Sequence, residues 1–143
     1  MVWRERKLVD GSETGTLSRQ RAVGAPLKSD GGFPVSVNAI KSKQDFASVI
    51  DCGKPILIEF WAPWCGPSRT ISPIFEKHAS DPKNVGIEFY RVDIDEQEQI
   101  AQEVGIRGMP VFMLFKDGDK KAEVIGADPG KLEALVIRAR PLR

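Results

Sequence analysis

Residues 55–68 read Pro-Ile-Leu-Ile-Glu-Phe-Trp-Ala-Pro-Trp-Cys-Gly-Pro-Ser, and this stretch decides the fold. Its first seven residues, 55–61, are apolar except for Glu59, which is the pattern of a strand covered on both faces. Cys65 follows, and residues 65–79 carry helical periodicity with Pro73 inside it, where a kink is expected. A buried strand that runs straight into a helix is half of a parallel crossover unit.

Working outward, residues 34–38 alternate enough for a short edge strand. Ser42 with Asp45 three residues on suggests a capping box, and Phe46, Val49 and Ile50 form one helix face before Gly53. On the other side, residues 87–92 are a second apolar strand. Asp95 is expected to cap a helix carrying Ile100, Ala101 and Val104, which Gly105 ends. Residues 111–115 and 121–125 are strands joined through Asp117-Gly118, a hairpin signal. Asp128-Pro129 opens a last helix with Leu132, Leu135, Val136 and Ala139 on one face. The expected class is α/β: a central mixed sheet with helices on both faces.

The chain has 143 residues, enough for one well-packed domain, and residues 34–143 are expected to form it. Residues 1–33 mix charges with Gly, Ser and Thr without periodicity and are read as an irregular extension. Arg4, Arg6, Lys7, Arg19 and Arg21 would suit a mitochondrial transit peptide, but Glu5, Asp10 and Glu13 argue against it. The net charge of +1 gives no electrostatic case for nucleic acid or an anionic membrane. No apolar run is long enough to span a bilayer. Two cysteines make no disulfide framework, which points to a reducing compartment, the cytoplasm.

Cys65 is the candidate for chemistry. At a helix start a sulfur faces unpaired backbone N–H groups and the positive end of the helix dipole, and both favour the thiolate, the form that attacks disulfides. Cys52 cannot partner it: the seven-residue strand between them separates the two by roughly 20 Å, whereas a disulfide needs Cα atoms within about 7 Å. Cys52 reads as a bystander near a helix end. His78 has no Cys or His neighbours in sequence, so no metal site is expected and His78 reads as a surface residue. Trp61 is expected to pack under the helix that Cys65 opens.

The segment Phe60-Trp61-Ala62-Pro63-Trp64-Cys65-Gly66-Pro67 resembles the active-site segment of thioredoxins. Gly108-Met109-Pro110 is similar to that family's loop with a cis-proline, Pro73 to its helix proline, and Gly126 to its glycine beside the substrate groove. The resemblance covers about residues 35–140. It implies the thioredoxin fold, thiol-disulfide exchange with disulfide-containing target proteins, no cofactor, and a thioredoxin reductase as partner if a dithiol form is the natural one. It further implies that Gly66 and Pro67 tune the redox centre, that Trp64, Met109, Pro110 and Gly126 bind substrate, and that Glu59 stands where the family has a buried aspartate that accepts a proton from the second cysteine. A carboxyl held there for structure alone is the other reading of Glu59.

One position departs from the family. Thioredoxins carry a second cysteine three residues after the first, and here Ser68 holds that place. Residues i and i+3 of a helix are neighbours, so a thiol there resolves a mixed disulfide. A serine hydroxyl is hardly ionised at neutral pH and does not attack sulfur. Exchange is therefore expected to stop at the mixed disulfide. Ser68 fits a natural monothiol protein and an engineered Cys→Ser change equally. Two other functions stay open at this point: a glutathione-dependent monothiol oxidoreductase, and a non-catalytic module that binds peptides in the same groove.

Overall fold

A computed structural model describes residues 37–143. The expectations for residues 1–33, and the first part of the strand expected at 34–38, lie outside the described residues. In chain order the elements are β1 (Val37–Ala39), α1 (Lys43–Ile50), β2 (Ile56–Trp61), α2 (Gly66–Ser80), β3 (Glu88–Asp93), α3 (Glu98–Val104), β4 (Val111–Lys116), β5 (Asp119–Ile125) and α4 (Pro129–Ala139). Short 3-10 turns at Pro82–Asn84 and Arg140–Leu142 follow α2 and α4.

The five strands form one sheet in the order β1-β3-β2-β4-β5. β1 and β2 both pair with β3 in parallel, and β4 pairs antiparallel with β2 and with β5. This is the mixed α/β sheet that the alternation of strands and helices implies. β2 lies at its centre, with Ile56, Leu57, Ile58, Glu59 and Phe60 all fully buried.

The period-two alternation of a strand divides the core into two layers. Leu57, Phe112 and Leu114 meet Ile71 and Phe75 of α2 and Leu132, Leu135 and Val136 of α4. Ile56, Ile58, Phe60, Val111 and Met113 meet Phe46 of α1 and Ile100 of α3. Both faces of the sheet are thus covered, so a near-continuous apolar run serves β2 and β4 better than an alternating one.

Local signals act as caps and turns. The Ser42 hydroxyl accepts from the Asp45 N–H at 3.0 Å, while Asp45, too short to reach back to Ser42, accepts from the Lys41 N–H at 3.4 Å. Asp128 accepts from the N–H groups of Gly130 and Lys131 at 3.0 and 3.1 Å and starts α4 at Pro129. Asp117 and Gly118 both have positive φ, 55° and 85°, as a two-residue hairpin turn that follows the sheet twist requires.

Asp95 does not cap α3. Gln97 precedes that helix without a side-chain cap, and Asp93 instead folds the entry by accepting from the N–H groups of Asp95 and Glu96. Asp93 sits at the strand end, where its short carboxylate meets the amides two and three residues on in an Asx turn, while the Ile94 N–H donates to the Trp61 carbonyl. This leaves Asp95 free for another partner. His78 is half-buried rather than a surface residue, and burial pushes its imidazole pKa down.

Candidate functional site

Strand register gathers the candidate residues at one end of the sheet. The C-terminal end of β2 lies opposite the start of β4, with Phe60 paired to Val111. Trp61 at the same end pairs with Asp93 of β3, and Ile125 at the end of β5 pairs with Val111. The segments that follow β2, β3 and β5, and the one that precedes β4, therefore emerge together. They hold Cys65, Asp95, Gly126 and Pro110 respectively. Cys52 precedes β2 and lies toward the opposite end, partly buried against the α1 side of the core. Both cysteines are free thiols.

Cys65 is the N-cap of α2, in extended conformation, and it makes no side-chain capping bond. Its sulfur stands at the helix start without spending its lone pairs on an amide cap. A turn from Ala62, whose carbonyl accepts from the Cys65 N–H at 3.1 Å, brings the chain from strand to helix. Gly66 and the first-turn proline Pro67 are exposed beside it, whereas Cys65 itself is 7 % exposed.

Trp64 is 65 % exposed, an unusual position for an indole. Its Nε1–H donates to Asp95 Oδ2 at 2.8 Å, which explains why the ring is held rather than loose. Asp95 is a site residue that sequence reasoning missed, because its place before a helix looked like capping. Replacing Asp95 by Ala should free the indole: Trp64 fluorescence anisotropy falls, and capture of a disulfide target slows several-fold. Stability should stay within about 0.5 kcal/mol of the parent, as for most surface changes. Unaltered anisotropy would show that the ring is held by something else.

The Met109–Pro110 peptide bond is cis, and Pro110 is buried just before β4. Its carbonyl accepts from the Gly126 N–H at 2.8 Å, which joins the loop to the turn after β5. Gly126 has φ 106°, a region that excludes most side chains. Gly108 is required by close approach, since a Cβ there would lie 2.8 Å from Ile125 Cγ2. Met109 is half-buried in the same loop.

Glu59 is fully buried on the α2 side of the sheet. Ser72 Oγ lies 2.6 Å from Glu59 Oε2, and Arg91 Nη2 of β3 donates to Oε1 at 3.3 Å. Burial raises the Glu59 pKa, outweighing the opposing pull of the Ser72 hydroxyl and the Arg91 guanidinium. Arg91 also pairs with Glu76 at 3.6 Å and lays its guanidinium over the Trp61 ring at 4.9 Å. Trp61 is thus half-buried under an arginine from β3. Arg91 and Ser72 are further residues missed in the sequence; the available signals were a lone charge in an apolar strand and a hydroxyl four residues after position 68.

Ser68 is fully buried in the first turn of α2, three residues after Cys65, and its hydroxyl has no hydrogen-bond partner among the described residues. The position is shaped for a small group that needs no hydrogen bond, which a thiol satisfies better than a hydroxyl. Among the described residues no group of three or more His, Cys, Asp or Glu side chains could hold a metal ion, and no helix is long and apolar enough to cross a membrane.

A mixed sheet whose central strand delivers a free thiol to a helix start, level with a proline loop, defines the class of thiol-disulfide oxidoreductases. The thioredoxin family model matches residues 37–138, and the chain belongs to the thioredoxin family. It is 51 % identical to thioredoxin of Malassezia sympodialis over 100 residues, covering 70 % of this chain and 95 % of that protein. The crystal structure of Malassezia sympodialis thioredoxin superimposes with a TM-score of 0.74 at 46 % identity, over 78 % of this chain and 97 % of that one. A mutant thioredoxin of Entamoeba histolytica with serine in place of a cysteine is also similar, with a TM-score of 0.66 at 39 % identity over 72 % of this chain and 99 % of that one.

Proposed function

We propose that Cys65 attacks disulfides of target proteins and that the reaction then stops at the mixed disulfide. The Cys65 thiolate bonds to one target sulfur, and the other target sulfur leaves as a thiolate that takes a proton from water. The target S–S bond breaks as the bond from Cys65 to the target sulfur forms, so one target sulfur is reduced to a thiol, Cys65 is oxidised in its place, and the number of disulfide bonds is unchanged. A second thiol is needed to displace the target and complete its reduction. The observation that carries this reading is Cys65 at the N-cap of α2 with Ser68, not a thiol, buried three residues on.

In this reading Trp64, Met109, Pro110 and Gly126 receive the target chain beside the sulfur, and Gly66 and Pro67 shape the helix start next to it. An extended segment would add to the exposed backbone of the proline loop, a common mode of peptide capture. The partners are disulfide-bearing proteins in the reducing cytoplasm, and a thioredoxin reductase becomes a partner once a dithiol is present. The exchange domain comprises residues 34–143.

The test is incubation with insulin followed by non-reducing electrophoresis and intact-mass analysis. A one-to-one adduct that dithiothreitol dissolves is expected. It should disappear in Cys65→Ser and persist in Cys52→Ser. Adduct of equal yield in Cys65→Ser would overturn the proposal and leave a peptide-binding module.

A further inference from the structure

Hydrogen counting around Ser72 gives an unassigned role to that residue. Ser72 Oγ lies 2.6 Å from Glu59 Oε2 and 2.8 Å from the carbonyl oxygen of Ser68. A serine hydroxyl has one hydrogen to donate. A carbonyl oxygen has none. If both short contacts are hydrogen bonds, the second hydrogen belongs to the Glu59 carboxyl. The line then runs from Glu59 Oε2–H to Ser72 Oγ, and from Ser72 Oγ–H to the Ser68 carbonyl.

We propose that Ser72 is a positioning residue that relays the proton state of Glu59 to the first turn of α2. With Glu59 neutral, Ser72 accepts from it and donates to the Ser68 carbonyl. When Glu59 loses its proton to solvent, the carboxylate becomes the stronger acceptor, and the Ser72 hydroxyl turns toward it. The Ser68 carbonyl then loses that bond. Ser68 closes the turn whose N–H groups face Cys65, so the switch reaches the sulfur through the helix start.

The surroundings of Glu59 suit a group that stays neutral and titrates late. Arg91 of β3 is the cation that faces it, at the long distance of 3.3 Å, and it is shared with Glu76 of α2. β4 brings Phe112 to the register position beside Glu59. Ile71 and Phe75 of α2 and Leu132 of α4 belong to the core layer on this side of the sheet, and the further buried polar side chain of α2 is the Ser68 hydroxyl. Burial raises the carboxyl's pKa in the same direction. Pro73 follows Ser72 and has no N–H for the Arg69 carbonyl, so the helix ladder is already open one residue beyond the Ser68 carbonyl that Ser72 contacts.

The proposal deepens the exchange reading, and its first test does not depend on that reading. Carbon NMR of the full chain would follow the Glu59 side-chain carboxyl carbon and the Ser68 backbone carbonyl carbon against pH. In the parent both should shift with one midpoint, above the ordinary carboxyl range. In Ser72→Ala the Ser68 shift should be lost while Glu59 still titrates, and Ser72→Thr should restore it. In Glu59→Gln, which keeps shape and fold, Ser68 should not move through that range. A Ser68 carbon that ignores the Glu59 midpoint in the parent, or still follows it in Ser72→Ala, overturns the relay. A second readout is the pH profile of Cys65 alkylation by iodoacetamide. Its inflection at the Glu59 midpoint should shrink in Ser72→Ala. An inflection of equal size in both proteins would overturn the link to the thiol, whereas absence of insulin adducts with the relay intact would count only against the exchange reading.

Discussion

Replacing Ser68 by cysteine should convert single capture into sustained turnover, with insulin reduction driven by thioredoxin reductase rising on the order of 10³-fold or more over the parent. Two ways of displacing the target set this ratio. In the parent an external thiol at millimolar concentration must do it. In Ser68→Cys the attacking thiol is one helical turn away, and well-placed intramolecular groups act at effective concentrations far above molar. The site is already shaped for the change: position 68 is fully buried and its hydroxyl is unpartnered among the described residues. Removing an unpaired buried hydroxyl should also raise stability by about 1 kcal/mol, read as a higher urea midpoint in the reduced protein. Reductase-coupled consumption of the nicotinamide cofactor measures the gain. A folded Ser68→Cys protein that still stalls at the adduct would show that proton transfer near Glu59, not the missing sulfur, limits release.

The second large effect concerns Arg91. Glu59 is fully buried, and the Arg91 side chain that faces it keeps 24 % of its own exposure. A carboxyl with a pKa raised by folding binds its proton more tightly in the folded than in the unfolded chain. Its contribution to stability is therefore full below the ordinary carboxyl pKa and is lost as pH rises through the folded value. Arg91 moderates that loss by favouring the ionised form. Arg91→Leu should thus cost about 1 kcal/mol near pH 4, from lost contact with Trp61, and about 3 kcal/mol near pH 8, where the carboxyl must either ionise unpaired or hold its proton against the solvent. Urea unfolding at both pH values measures the difference. A penalty independent of pH would mean that Arg91 acts through packing on Trp61 alone. Adding Glu59→Gln to Arg91→Leu should remove most of the pH dependence, since no buried proton is then exchanged.

Much of the site was legible in the sequence because its signals are local. The Asp128-Pro129 start of α4, the Asp117-Gly118 turn and the apolar run of β2 each depend on residues a few positions apart. Cys65 after a buried strand implies a thiol at a helix start before any coordinate is known, and Ser68 three residues on implies that no second thiol stands beside it.

The tertiary structure alone decided how separate segments meet. Asp95 resembles a helix cap in sequence, yet Asp93 takes that role and Asp95 holds Trp64 from a different strand end. Arg91 reads as one charge in a strand until the pairing of β2 with β3 sets it against Glu59 and Trp61. Ser72 reads as a helix hydroxyl until burial presses it between Glu59 and the Ser68 carbonyl. The physical reason is the same in each case. Capping, turn chemistry and burial periodicity act over a few covalently linked residues, whereas the partner of a charge or hydroxyl in a core is chosen by strand register and helix packing, which join positions far apart along the chain.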